Sequence, residues 1–265
     1  MLDFDAYLAR IGLRGHPSIA QLHRAHVISI PFENLDPQSG VPVSLAPGDV
    51  ERKLVAERRG GYCFEQNLLL KAALEALGVE VDMFLARVRS VAPPGVTRPR
   101  THLVLRARSG GTSWHVDVGF GHGGLFEPMP FGPGATQLQS GWRFRIVPDA
   151  QEFVLQSLEH DNWVDLYGFL PEPVPFIDVE VSNWFACTHP RSPFVTGLAV
   201  STQRDDGTLT SLSNWNGLAL TEQTPAGKLV RPVAPEAVPE LLAARFALPG
   251  FVLGADGRFV PASDR

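Results

Sequence analysis

The chain has 265 residues, 44% hydrophobic and 19% charged, enough for one large domain or two to three packed lobes and too apolar for disorder to dominate. Its 28 acidic and 23 basic side chains give a net charge of -5, and no run of lysines or arginines tracks phosphates, so nucleic acid is not expected as a partner. Cys63 and Cys187 lie far apart with no CxxC pair, which fits neither a disulfide framework nor a zinc site and suits a reducing cytoplasm. Asp3 and Asp5 stand where a signal peptide needs positive charge, and no apolar run reaches the roughly 18 residues of a membrane span.

The first eighty residues read as helices. Asp3 or Asp5 caps a helix through Leu8, and Pro17-Ser18 opens a second through His26. Asp49 caps a third that runs to Arg58 and stops at Gly60-Gly61. A fourth begins near Cys63, is rich in leucine and alanine, and ends at Gly78, where glycine takes the left-handed cap. From Val79 the period becomes two. Residues 79–88, 101–108 and 113–121 read as strands, separated by Pro/Gly-rich or SGG segments; 125–135 is irregular, and 142–148, 152–158 and 162–169 are further strands. Residues 194–203 and 208–214 form a hairpin across Arg204-Asp205-Asp206-Gly207, and 235–248 is a late helix.

The segment RRGGYCFEQN (58–67) carries the most chemistry. A cysteine after two glycines, in the first turn of a helix, feels the partial positive charge of unpaired amides, which favours thiolate and makes Cys63 the candidate nucleophile; the plainer reading is a small buried hydrophobe. A thiolate needs a base, and the base an orienting acceptor. His102 opens one strand and Asp117 lies in its hairpin partner. A two-residue turn at Ser109-Gly110 gives facing residues an index sum of 219 and sets His102 opposite Asp117, whereas an odd-length loop sends Asp117 to the other face. His115 shares that face by alternation, so spacing leaves the two histidines level as base. Cys187, followed by His189, is the rival thiol; its CTHP context shows no helix start, and it reads as packed. Gly119-x-Gly121-x-x-Gly124 matches the dinucleotide fingerprint in form, but the prolines that follow make no helix to hold a pyrophosphate. Those glycines allow close backbone approach, to a neighbouring segment or to a ligand.

IPFENLD (30–36), RGGYCFEQN (59–67), Thr101-His102, VDVGFG (116–121) and SNWFACTHPRSPF (182–194) together resemble the arylamine N-acetyltransferase family, in order and approximate spacing, to about residue 215. The resemblance implies an α+β fold on a cysteine-protease-like core: an N-terminal helical bundle (1–85) carrying the nucleophile, a central β-barrel (86–190) carrying histidine and aspartate, and a C-terminal α/β lid (191–265). It places Cys63 as nucleophile, His102 as base and Asp117 as orienting carboxylate, which decides against His115. It also implies substrate contacts at Phe32, Thr101, Phe120 and Phe194, acyl-donor contacts at Gly121 and Gly123, and a structural ion pair between Glu33 and Arg59.

The implied reaction is ping-pong. Acetyl-coenzyme A acetylates the cysteine, and an arylamine, arylhydroxylamine or hydrazine takes the acetyl group; backbone amides near Cys63 hold the oxyanion, and no metal takes part. Amide synthases that release or cyclise an acyl chain from a carrier protein share the triad and are the alternative. Papain-like and transglutaminase-like enzymes use the same residue types, and a binding module with a merely structural triad is the non-enzymatic reading.

Overall fold

The computed structural model describes residues 2–90 and 96–262. Local chemistry sets its N-terminal helices. Asp3 accepts from the Ala6 amide and opens α1 (Phe4–Arg10); Ser18 and Gln21 form a capping box that starts α2 (Ile19–Ser29), which runs past His26. IPFENLD holds β1 (Phe32–Glu33) and the start of α3 (Leu35–Ser39), both too short to leave a periodic signal. Asp49 does not cap the third helix. Pro47 begins α4 (Pro47–Glu51) after Ala46, Asp49 sits in its first turn, and the helix widens into a π-helical turn, Arg52–Ala56, before the chain breaks at Arg58 with φ of 54°. α5 (Cys63–Ala76) ends in a Schellman motif: with Gly78 at φ 76°, the Val79 amide bonds Leu74 O at 3.1 Å and the Gly78 amide bonds Glu75 O at 2.9 Å.

Eight strands then form one antiparallel sheet: β2 (Glu80–Val88), β3 (His102–Ser109), β4 (Thr112–Val116), β5 (Met129–Pro130), β6 (Gln137–Gln139), β7 (Trp142–Asp149), β8 (Glu152–Glu159) and β9 (Asn162–Phe169). Their order is β5-β4-β3-β2-β9-β8-β7-β6. The lobe boundary expected after residue 85 falls inside β2, and part of the Pro/Gly-rich link expected between β2 and β3, residues 91–95, lies outside the described residues. The sheet curls into a nearly closed barrel whose remaining gap is spanned by Gln139. Its Oε1 accepts from the Phe126 and Glu127 amides, each at 3.0 Å, and its Nε2 donates to Glu127 O at 3.0 Å. Alternation along β3 builds two cores at once. Val104 joins Phe84, Phe144, Leu155 and Phe169 inside the barrel, while Leu103, Leu105 and Ala107 pack with Leu70, Ala73 and Leu74 of α5.

The β3–β4 register differs from the expected one by one turn position. Leu105 pairs with Val116 and Ser109 with Thr112, an index sum of 221, because the turn is Gly110-Gly111, with φ of 60° and 76°. Both central residues of such a turn require positive φ, which glycine adopts without strain and Ser109 does not. The displacement preserves parity, so Asp117, just beyond the end of β4, remains on the His102 side as a diagonal rather than a direct neighbour.

Beyond the barrel come α6 (Phe176–Thr188), which was not anticipated, and α7 (Pro193–Thr196). α6 hides its period because Ile177, Val181 and Trp184 on its outer side are apolar and exposed. A second sheet joins β1 to β10 (Ala199–Gln203), β11 (Leu209–Ser213), β12 (Ala219–Thr224) and β13 (Gly227–Pro232) in that order, so both ends of the chain build it. One of its faces packs Val200, Leu212 and Leu220 on Val238, Leu242 and Phe246 of α8 (Val238–Phe246); β14 (Phe251–Leu253) and β15 (Phe259–Pro261) close that end. The other face carries small polar side chains, with Phe32, Ser201, Ser211 and Thr221 in one register row. Arg24 of α2 clasps these pieces together, donating to Glu127 Oε1 (2.9 Å) and Ser140 Oγ (3.0 Å) on the barrel side and to Asp205 Oδ1 (2.8 Å) in the β10–β11 loop.

Candidate active site

Cys63 is the first residue of α5 and is 2% exposed. Its place is fixed by the chain running alongside. The Gly61 amide donates to Pro31 O (3.4 Å) and the Glu33 amide to Gly61 O (3.1 Å), so the IPFEN segment lies against RGGYC. The approach is close enough that a Cβ on Gly60 would stand 2.2 Å from Pro31 O, which only glycine permits. One turn into α5, Gln66 donates to Pro31 O (2.8 Å) and Gly61 O (3.2 Å), while its carbonyl meets His26 Nε2 at 2.6 Å. Since that oxygen only accepts, His26 donates from Nε2 and receives the Tyr7 hydroxyl at Nδ1 (2.9 Å). Burial keeps His26 neutral and pushes it down to about 3.

Behind this turn lies a closed cluster of charges. Glu33 and Arg59 pair at 2.7 Å, as the resemblance implied, and the cluster also holds Asp36 (2.7 Å from Arg59) and Lys53, 2.7 Å from both Asp36 and Glu65. Glu65 also accepts the Tyr62 amide (3.0 Å) at the helix start. Burial opposes the Lys53 ammonium, but Glu65, Glu33 and Asp36 outweigh it and hold it charged; burial pushes Glu65 itself up to about 7 despite Lys53.

On the other side of Cys63 stands His102. Its Nε2 lies 2.7 Å from Asp117 Oδ2, and the ring shares the cavity wall with the Cys63 thiol. The thiol lies 3.5 Å from Thr101 O. Burial alone would depress the imidazole, but the Asp117 carboxylate more than reverses this and lifts His102 to about 10. Asp117 is fully buried, which would raise it; His102, Asn67 and the Gly119 amide hold it far below the usual carboxylate range instead. Asn67 donates to Asp117 Oδ1 (2.9 Å) and Leu103 O (2.7 Å) and accepts the Val118 amide (3.0 Å), tying α5 to both barrel strands. His115, level with His102 on spacing, faces Tyr167 Oη at 2.8 Å and stacks on Phe169, with its pKa pushed down to about 4 by burial.

A cavity of about 910 Å³ opens over the thiol, between the barrel and the small-residue face of the second sheet. Cys63, His102, Phe32, Thr101, Phe120, Phe194 and Gly123 line it; Asp117 is withdrawn behind His102. Gly121 is not on the wall. At φ 80° it lies against Phe32, whose ring a Cβ there would meet at 2.9 Å, so close packing accounts for it. Gly119 is a neighbouring-segment glycine too, since a Cβ would stand 2.6 Å from Cys63 Cα. Cys187 is buried in the last turn of α6, with Sγ 3.9 Å from Trp184 O. Among the described residues Arg87, Arg98, Arg191 and Lys228 also line the cavity without a salt bridge, against one carboxylate, Glu159. Sequence reasoning did not single out these cations or Asn67, although Asn67 stands one helical turn from Cys63 on the same face.

A thiol opening a helix, an imidazole beside it and a buried carboxylate behind the imidazole make up the set on which cysteine-dependent acyl transfer runs. Known proteins narrow the class. A family model described as N-acetyltransferase matches residues 17–249. An arylamine N-acetyltransferase of Mycobacterium tuberculosis is 41% identical over 224 residues, 81% of this chain and 77% of the relative; one of Mycolicibacterium smegmatis is 42% identical over 214 residues, 77% and 78%. The arylamine N-acetyltransferase of Mycobacterium marinum, solved in complex with CoA, superposes with a TM-score of 0.88 at 36% identity, covering 93% of each chain. The chain belongs to the arylamine N-acetyltransferase family.

Proposed function

We propose that this protein is an acetyl-CoA:arylamine N-acetyltransferase that carries the acetyl group on Cys63. The observation that carries the reading is one cavity with the thiol and the lifted imidazole on its wall and an excess of unpaired cations, which suits a polyanionic acyl donor such as acetyl-CoA. His102 takes the Cys63 proton and Asp117 stabilises the resulting imidazolium. The sulfur adds to the thioester carbonyl, the bond to the CoA sulfur breaks, and CoA leaves with the proton from His102. In the second half-reaction the nitrogen of an arylamine, arylhydroxylamine or hydrazine adds to the acetyl-cysteine. His102 receives the N–H proton, the carbon–sulfur bond breaks, and the amide departs. Weakly basic amines keep their lone pair free near neutral pH and lie flat against Phe32, Phe120 and Phe194. The amides of the first turn of α5 hold the oxyanion, and Gly123 lies on the donor's path.

The three lobes of this reading are a helical 1–85, a barrel 86–190 and an α/β lid 191–265 on a cysteine-protease-like core, with β2 shared across the first boundary. A cytoplasmic setting is supported by two free, buried cysteines.

Intact-mass spectrometry after brief exposure to acetyl-CoA tests the reading. One acetyl group on Cys63, absent in Cys63→Ala and discharged by an aniline or hydrazine, is expected. Acetylation at Cys187, or acylation only from a carrier-protein thioester, overturns it, the latter in favour of an amide synthase.

A further inference from the structure

Asp117 is held by its side chain and also by its backbone, and the group that holds the backbone comes from α2. Strand β4 alternates its amides between two neighbours. Ser109 and Thr112 flank the turn, so residues 105 and 116 exchange bonds with each other, and the backbone groups of Ser113, His115 and Asp117 point away from β3 towards β5. Accordingly Ser113 O accepts from the Phe131 amide at 2.9 Å. β5 pairs only with Trp114 and His115, and the chain leading into it swings away. The Asp117 amide therefore lacks a strand partner. The His23 ring fills the gap: its Nε2 accepts from the Asp117 amide at 3.3 Å and its Nδ1 meets Phe126 O at 3.1 Å. A carbonyl only accepts, so the proton sits on Nδ1 and the ring is neutral, with the Nε2 lone pair turned to Asp117. His23 is fully buried, and burial pushes it down to about 4, in keeping with that single neutral tautomer.

We infer that His23 is a positioning residue for the acyl-transfer site, its imidazole replacing a missing strand pair so that the Asp117 backbone, and through it the carboxylate on His102, keeps its place. The inference rests on the proposed function, since it assigns a role in the reaction at Cys63. A displaced Asp117 orients His102 less well, which slows proton transfer from Cys63 and leaves donor binding at the cavity wall unaffected.

His23→Leu removes both bonds, whereas His23→Gln offers an amide oxygen and an N–H at a similar spacing. The experiment compares the rate of Cys63 acetylation, the KM for acetyl-CoA, and the far-downfield proton resonance of the His102–Asp117 hydrogen bond, which needs no substrate. In His23→Leu acetylation should slow by about tenfold to a hundredfold with KM within about twofold, and the downfield proton should broaden or vanish. His23→Gln should recover to within about threefold of the parent and restore the resonance. A folded His23→Leu protein with parental rate and resonance overturns the inference. So does a folded His23→Gln protein that is as impaired as the leucine variant or, should that variant not fold, more than about tenfold slower than the parent. A parent protein that takes no acetyl group from acetyl-CoA overturns the proposed function instead, and the resonance still reports whether His23 holds Asp117.

Discussion

Two buried clusters of charge flank the first turn of α5 and resolve their burial in opposite ways. Behind the turn, three carboxylates, Glu33, Asp36 and Glu65, share two cations, Lys53 and Arg59, in one network away from the cavity. In front, Asp117 has one imidazole as its ionic partner, and that imidazole also faces a thiol on the wall of an open cavity. The first cluster braces the backbone at the start of α5 and has no member on the cavity wall; the second presents its imidazole to the cavity. Burial alone does not make a charged group reactive, and what distinguishes the second cluster is its side open to the cavity.

The largest expected effect comes from removing the carboxylate in front. Asp117→Asn should keep the fold, since Asn67 and the Gly119 amide still frame the side chain, but lower the acetylation rate of Cys63 on the order of 10³- to 10⁴-fold, measured by rapid-quench mass spectrometry. A loss below about tenfold would put the two clusters on the same footing. Lys53→Met breaks the rear cluster by leaving carboxylates without their cation. It should cost about 3–5 kcal/mol in urea unfolding while the folded fraction acetylates at close to the parental rate.

Acidity separates the clusters further. His23, His26 and His115 are neutral when folded, with values near 4, 3 and 4, so as pH falls below about 6.5 the unfolded chain takes up protons that the folded chain refuses. Stability falls with them. Glu65, raised to about 7, works in the opposite direction but is outnumbered, and the net slope should be roughly 2 kcal/mol per pH unit between about 6 and 5. His102, lifted to about 10, contributes fully below 6.5, and its contribution is lost as pH rises from there through 10. Urea midpoints should therefore be lower at pH 5 and at pH 9 than near 6.5; equal midpoints at 5 and 6.5 would mean that one or more of the three histidines is charged in the fold. The smallest effect belongs to the cavity rings. Shrinking Phe32, Phe120 or Phe194 to leucine should shift preference among aromatic amines by about tenfold or less with little change in acetylation, and equal losses in both half-reactions would remove them from the acceptor side.

Much of the frame was legible because local chemistry and tertiary packing agree. α5 shows in its leucine and alanine pattern and in Gly78, and the β3–β4 pair shows in its alternation. The pairing of His102 with Asp117 came from parity, which survives a turn centred one residue away; the register itself missed because Ser109 was placed in a turn whose centre demands glycine. α6 was illegible, as Ile177, Val181 and Trp184 erase its polar face, and so were β1, β5 and β6, which are too short for a period of two to repeat. Glu33 and Arg59 stood out by motif, but Lys53, Asn67 and His23 gain their roles only from neighbours that folding brings near. Of the two neighbours that the glycines of the 119–124 loop allow, a chain segment or a ligand, Gly121 has an aromatic ring of the protein itself, Phe32.

The Arg24 guanidinium touches the barrel at Glu127 and Ser140 and the β10–β11 loop at Asp205, residues separated by long stretches of chain. Each bond is partly solvated and weak alone, but together, beside the buried bond from Trp142 Nε1 to Gly207 O (2.8 Å), they join the barrel to the second sheet. Backbone deuterium uptake in the β10–β11 hairpin should thus respond to salt before the barrel does, since screening loosens the solvated Arg24 pairs and leaves the barrel's buried ladders intact.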